Sequence, residues 1–373
     1  MTDRLSALLH EEAQHLTVPP ADAAEVLARG RGLRRRRRLA QGLTTVAVVA
    51  VVGVGAAFAF GGSPDRAADD RTTVADDGDK PVVPEQQMPP AFAAGNTLYL
   101  DGGATPVQMD EVVQQIYYTS AGLLVRTNKD GASDGGAPFH FVLVTPDGTA
   151  RKLGLTLGEI TPGVDPTQPL VAYAEMDGDT EQVVVHDLTT DEDVARFDVP
   201  GQMTWGGWDA APVALSGDLV FVGNDEPVAV NWRTGEVTKT GALPDGMPVV
   251  NGGRTVLSDR KSAEVVDLAT GATLLTITDP NAWVTLSPDG RYAKAASDPG
   301  VEIYDVQSGA HVSLPGNGFD YGWTADGRLF SVSGESLKVC SPTTGDCSEQ
   351  PLPGGLSFGK DEFLRYAGSI YES

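Results

Sequence analysis

Short apolar strands alternate with tight polar turns along most of this chain, and one arrangement keeps returning: VVDLATGATLL at 265–275, IYDVQSGAHVSL at 303–314 and VCSPTTGDCSE at 339–349. Each is an apolar run, a turn closing on Thr-Gly or Ser-Gly, and a second strand. That is the pattern of a β-hairpin reversing through a type I bend and a left-handed glycine. The same pattern centres near Gly103, Gly148, Asp191 and Gly235, ahead of Gly271, Gly309 and Gly345, so successive turns are 45, 43, 44, 36, 38 and 36 residues apart. Two further strand candidates precede each hairpin, plainest in WVTLSPDGRYAKAAS (283–297) and YGWTADGRLFSVS (321–333), both turning at Asp-Gly.

Four antiparallel strands recurring every 40 residues or so predict a β-propeller, whose ring leaves only short, protected edges. The fold expected over 93–373 is all-β: seven four-stranded blades, with the last blade shared between the N- and C-terminal strands. The strands near 97–108 would supply its outer half, and LSFG (356–359) with EFLRYAGSIY (362–371) its inner half.

The segment before the repeats has a different pattern. Residues 39–60, LAQGLTTVAVVAVVGVGAAFAF, carry no charge over 22 positions, long enough to cross a bilayer core as a helix. Arg29, Arg31 and Arg34 to Arg38 precede the run, and Asp65, Asp69 and Asp70 follow it. A basic flank inside and an acidic flank outside predict a single transmembrane helix at 39–62 with the N-terminus in the cytoplasm. A signal peptide is the rival, with Ala57-Phe58-Ala59 as its cleavage site, but the 38 residues ahead of the run exceed an ordinary n-region. Residues 1–38 form a short basic cytoplasmic segment, a topology signal or a docking site for a cytoplasmic partner. Residues 63–92, with five prolines and seven acids, read as a tether reaching roughly 30 Å.

Charge sharpens this division. The chain has 373 residues and a net charge of -24; residues 1–62 hold 8 Lys+Arg against 5 Asp+Glu, leaving 19 against 46, a net of -27, beyond them. An acidic surface of that size disfavours nucleic acid. The only cysteines, Cys340 and Cys347, flank the turn SPTTGD and face each other if the loop is 342–345. That spacing predicts a disulfide, as suits an extracytoplasmic domain, and closing so short a loop contributes about 2.5 kcal/mol in the chain-entropy model.

SPDGRYAKAAS with VEIYDVQSGAHVSL resembles the WD-repeat and YVTN-type propeller repeats of bacterial envelope proteins, and VVDLATGATLL is similar to pyrroloquinoline-quinone propeller blades. No Trp closes the Thr-Gly hairpins, so the resemblance implies no quinone, and no cofactor is expected. The layout of basic segment, anchor and ectodomain also resembles membrane anti-sigma factors, although His10 and His15 lack the cysteines of their zinc site.

Enzymatic motifs are sparse. Ser258-x-x-Lys261 and Lys239-Thr240-Gly241 match patterns of penicillin-interacting enzymes in reversed order, and His10, His15, His140, His186 and His311 form no metal-ligand spacing. The loops offer more. Those between second and third strands, and those between blades, share one end of a propeller. There the sequence places Asp177, Asp179, Asp225 and Asp298, with Trp205, Trp208, Trp283, Phe319 and Tyr321. Aromatics rimmed by acids suit a cationic, sugar-like or protein ligand. The expected function is a non-enzymatic binding or scaffold module for a protein or cell-envelope ligand. A transmembrane sensor and a lactonase-type hydrolase are the alternatives.

Overall fold

The computed structural model describes residues 88–131, 138–158, 160–177, 180–200, 210–223, 227–240, 250–258, 261–279, 282–297, 300–359 and 362–369. The expected cytoplasmic segment, anchor and most of the tether lie outside them. Among the described residues no helix is long and apolar enough to cross a membrane.

The described strands form seven four-stranded antiparallel sheets. Six run in simple chain order from the ring axis outwards, here blades 1 to 6, beginning at Val112, Gly163, Val213, Val250, Trp283 and Gly322. The seventh closes the ring: Leu364–Tyr366 is its inner strand, followed outwards by Phe92–Ala94, Thr97–Leu100 and Thr105–Gln108. Its division is therefore three strands and one, not two and two. LSFG does not form a strand; it follows a turn at Pro353–Gly355, and Phe358 makes a single bridge to Gly334 while its ring packs edge-on against Phe92 and Tyr99. The propeller also begins earlier than residue 93, since Met88, Ala91 and Phe92 are already in its core.

Blades stack face to face, so their middle strands are covered on both sides and read as unbroken apolar runs. Every residue of Gly122–Asn128 is buried, and Val183 to Val185 are inaccessible. Outer strands meet solvent: Ala150–Leu157 buries only Leu153, Leu155 and Leu157, and Cys347–Pro351 is exposed throughout.

All seven expected hairpins join a third strand to an outer one. Their recurrent first residue has a physical role. The Asp267 carboxylate accepts the Thr270 N–H at 2.8 Å and its hydroxyl at 2.7 Å, while Gly271 N–H donates to the Asp267 carbonyl at φ +69°. Asp305 and Asp187 repeat the arrangement, and Asn231 and Ser341 play the same part in their turns. In blade 6 this register sets Cys340 directly opposite Cys347, and the two form a disulfide.

Asp191 takes the glycine position in blade 2, at φ +61°. Its carboxylate accepts the Gly154 N–H of blade 1 at 2.9 Å and lies 3.0 Å from His186 Nε2, whose Nδ1 lies 2.9 Å from Asp193. Burial pushes both carboxyls up, but the Gly154 N–H and His186 outweigh it at Asp191, as His186 and Arg196 do at Asp193, so both sit below the usual range. Their contribution to stability is therefore present above the unfolded value of about 4 and is lost as pH falls through the lower folded values. Asp191→Asn keeps a residue tolerant of left-handed backbone. It is expected to cost about 1–2 kcal/mol at pH 7 and to flatten the acid limb of stability against pH in chemical denaturation.

Candidate functional site

The antiparallel order puts the links between blades and the loops between second and third strands at one end of the ring. Three exposed aromatics mark that end on consecutive blades. Trp283, 45% exposed, opens the inner strand of blade 5 and pairs with Ala296. Phe319, also 45% exposed, lies in the turn Gly318–Asp320 that links blades 5 and 6. Phe363, 59% exposed, immediately precedes the inner strand of the closing blade, its ring centre 4.3 Å from the Arg365 guanidinium. Among the described residues no other Trp, Phe or Tyr is classed as exposed.

Local geometry seats the turn that carries Phe319 against blade 5. Asn317 caps the short turn by accepting the Phe319 N–H at 3.0 Å. Gly318 sits so close to blade 5 that a Cβ would meet Ala296 Cα at 2.6 Å and the Gly300 carbonyl at 3.0 Å. Only glycine lets the turn rest on that strand end, against Ala296, the pairing partner of Trp283. Exposed Glu335 and Glu362 belong to the loops of the next blade and the closing link. Beneath the turn the Lys294 ammonium donates to the Tyr321 carbonyl at 2.5 Å. Burial brings Lys294 down to about 8, against the pull of Asp320, whose own carboxyl burial pushes up.

The other expected site residues separate into three groups. Tyr321 is only 2% exposed; its hydroxyl donates to the Pro315 carbonyl and its ring packs in the blade 5–blade 6 core, so it supports the site without facing a ligand. Asp177 is exposed at the same end but on blade 2, across the ring from Trp283, beside exposed Met176. Trp205, Trp208, Asp179, Asp225 and Asp298 lie outside the described residues. Phe363 was not anticipated; the run Asp-Glu-Phe-Leu-Arg-Tyr reads as alternating strand, and nothing local says that the strand begins one residue later.

The pattern residues Ser258 and Lys239 fall on different blades, at the end of Arg254–Ser258 in blade 4 and of Val237–Lys239 in blade 3. Among the described residues no group of three or more His, Cys, Asp or Glu side chains is placed to hold a metal ion. On the axis, the inner strands of blades 1 to 5 line a partly open cavity of about 100 Å³.

No family model and no curated protein matches the chain. Similar solved structures include apo AztD from Citrobacter koseri, at 13% identity over 75% of this chain and 99% of that one with a TM-score of 0.46. TolB from Acinetobacter baumannii is similar at 11% identity over 74% of this chain and 65% of that one, TM-score 0.39. Hsv2 of Kluyveromyces lactis is similar at 15% identity over 61% of this chain and 74% of that one, TM-score 0.39. The class, a seven-bladed β-propeller, rests on the seven sheets described above.

Proposed function

We propose that the protein is a membrane-anchored, extracytoplasmic propeller acting as a non-enzymatic binding or scaffold module. Its docking face is the arc formed by Trp283, Phe319 and Phe363, and its ligand is a protein or envelope component that carries cationic groups. The observation that carries this reading is the grouping, among the described residues, of the three exposed aromatics on consecutive blades at one end of the ring. Apolar side chains scattered singly over a surface need no explanation, whereas aromatics gathered at one rim mark an interaction site. Carboxylates around them and the net charge of -27 beyond residue 62 favour a basic partner, held by ion pairing and by cation–aromatic contacts. The uncharged run at 39–60 supports the anchor, and the Cys340–Cys347 disulfide suits an oxidising compartment.

Capture of cell-envelope proteins by the full-length protein tests this directly. Trp283→Ala with Phe319→Ala is expected to weaken capture more than tenfold without lowering the melting temperature, and capture by the unaltered protein should fall steeply with salt. Equal capture by the variant, or capture indifferent to salt, contradicts the reading.

A further inference from the structure

Among the described residues Lys294 is the only buried lysine, at 4% exposure. It lies on Tyr292–Ser297, the second strand of blade 5, and side chains two apart on a strand share a face. The next residue on that face, Ala296, supports the turn that carries Phe319, since a Cβ at Gly318 would meet Ala296 Cα at 2.6 Å. From the same face the Lys294 ammonium crosses to blade 6 and donates to the Tyr321 carbonyl, two residues beyond Phe319, at 2.5 Å. Residues 294 and 296 thus hold both ends of the turn.

The ammonium is poorly compensated where it sits. Its one hydrogen-bond acceptor among the described residues is that neutral carbonyl, which also accepts the Ser369 hydroxyl at 3.2 Å. Opposite charge reaches it through space from Asp320, with no bond between the two side chains. Burial of a cation without a bonded carboxylate disfavours its charged form, and Lys294 is brought down to about 8 although Asp320 pulls the other way. Burial also pushes the Asp320 carboxyl up. Tyr321 and Tyr366 feel Asp320 too, but burial pushes both up, Tyr366 to about 12, so neither changes charge near pH 8.

We infer that Lys294 makes the docking face respond to pH, holding it at neutral pH in a state that binds cationic ligands less tightly than at alkaline pH. The inference rests on the docking reading given above. While the ammonium is charged, its field opposes a cation arriving over Phe319. Once its proton has left to solvent, the exposed carboxylates of Asp320, Glu335 and Glu362 act unopposed. Binding therefore strengthens as pH rises, and by linkage it releases a proton. The free protein carries the same signature: with the folded value near 8 and the ordinary value at 10.5, stability rises with pH between the two and is level beyond them.

The test uses the full-length protein and a capped hexa-arginine peptide, whose charge is the same at pH 7 and pH 9. Calorimetric titration is expected to show binding about fivefold tighter at pH 9. Lys294→Met leaves the Tyr321 carbonyl its Ser369 donor; it should bind at pH 7 as the unaltered protein does at pH 9 and lose the dependence. Lys294→Gln takes its place should the Met variant not fold. Lys294→Arg, charged at both values, should bind as weakly at pH 9 as at pH 7. Melts without peptide separate this inference from the docking reading: the melting temperature of the unaltered protein should rise relative to Lys294→Met between pH 8 and pH 10. Peptide binding equal at both pH values, binding tighter at pH 7, a dependence that survives in Lys294→Met, or melts that show no such relative rise would each overturn the inference and leave the docking face standing. No peptide binding at either pH by a protein that melts cooperatively would overturn the docking face, and the inference with it.

Discussion

A chain ending at Gly359 is expected to lose cooperative melting altogether. Such a truncation removes Leu364–Tyr366, the inner strand on which the ring closes. Its loss strips the Phe92–Ala94 edge of its partner and takes away the Tyr366 ring, which packs edge-on against Phe330 with centres 5.6 Å apart. It also removes hydrogen bonds that tie distant parts of the chain: Ala367 N–H to the Ala91 carbonyl at 2.9 Å, Gly368 N–H to the Ile116 carbonyl at 3.2 Å, and the Arg365 guanidinium to the Gly131 carbonyl at 3.1 Å. Burial of a side chain such as tyrosine or phenylalanine contributes about 1.5–3 kcal/mol. Losing the buried Tyr366 and exposing Phe92 and Phe330 together approaches the 5–15 kcal/mol that stabilises a typical domain. Circular dichroism melts of the truncated and full chains check this; a cooperative transition in the truncated chain would mean that the six remaining blades hold together unaided. Gly322→Val offers a point-mutant counterpart, because a Cβ there meets Tyr366 Cβ at 2.6 Å and the Ala367 carbonyl at 2.9 Å.

Trp323→Ala carries the second largest expected effect. Trp323 is inaccessible to solvent on the inner strand of blade 6, within the core that joins Tyr292, Ile303, Leu329 and Cys340, and its indole N–H reaches Thr285 of blade 5. Its removal leaves a cavity between two blades that backbone cannot fill, since the inner strand is paired and the neighbouring blade is fixed by its own sheet. The expected cost is about 4 kcal/mol, seen as a fall in the denaturant midpoint with the slope unchanged. Trp323→Phe retains most of the volume and should lose less than half as much.

Hairpins were legible in the sequence because the turn chemistry is local: an Asp or Asn that accepts N–H groups two and three residues on, a hydroxyl residue, then a left-handed position. Even Asp191, which departs from glycine, kept enough of that frame to be placed. Inner strands were harder. Gly163–Val164, Val250–Asn251 and Gly322–Trp323 span two residues each, too short for any alternation to register. The closing blade was divided wrongly for a related reason. Phe92–Ala94 follows the prolines of the tether, while LSFG has the apolar look of a strand but spends Phe358 on aromatic packing.

Much of the candidate site was only partly legible. Trp283 and Phe319 could be assigned to inter-blade links from the repeat spacing, whereas the burial of Tyr321 depends on Pro315 and on the core of two blades. The axial cavity has no sequence signature, because its lining comes from the inner strands of five blades that are related only by the closure of the ring.

The central claim, a propeller held outside the membrane by residues 39–60, is tested most directly by protease treatment of intact spheroplasts expressing the chain with different tags at its two ends. The C-terminal tag is expected to be lost to external protease while the N-terminal tag survives in the membrane fraction. Survival of both tags until the membrane is lysed would place the propeller in the cytoplasm, and a C-terminal tag released in soluble form without the N-terminal one would mean that the apolar run is cleaved; either result would contradict it.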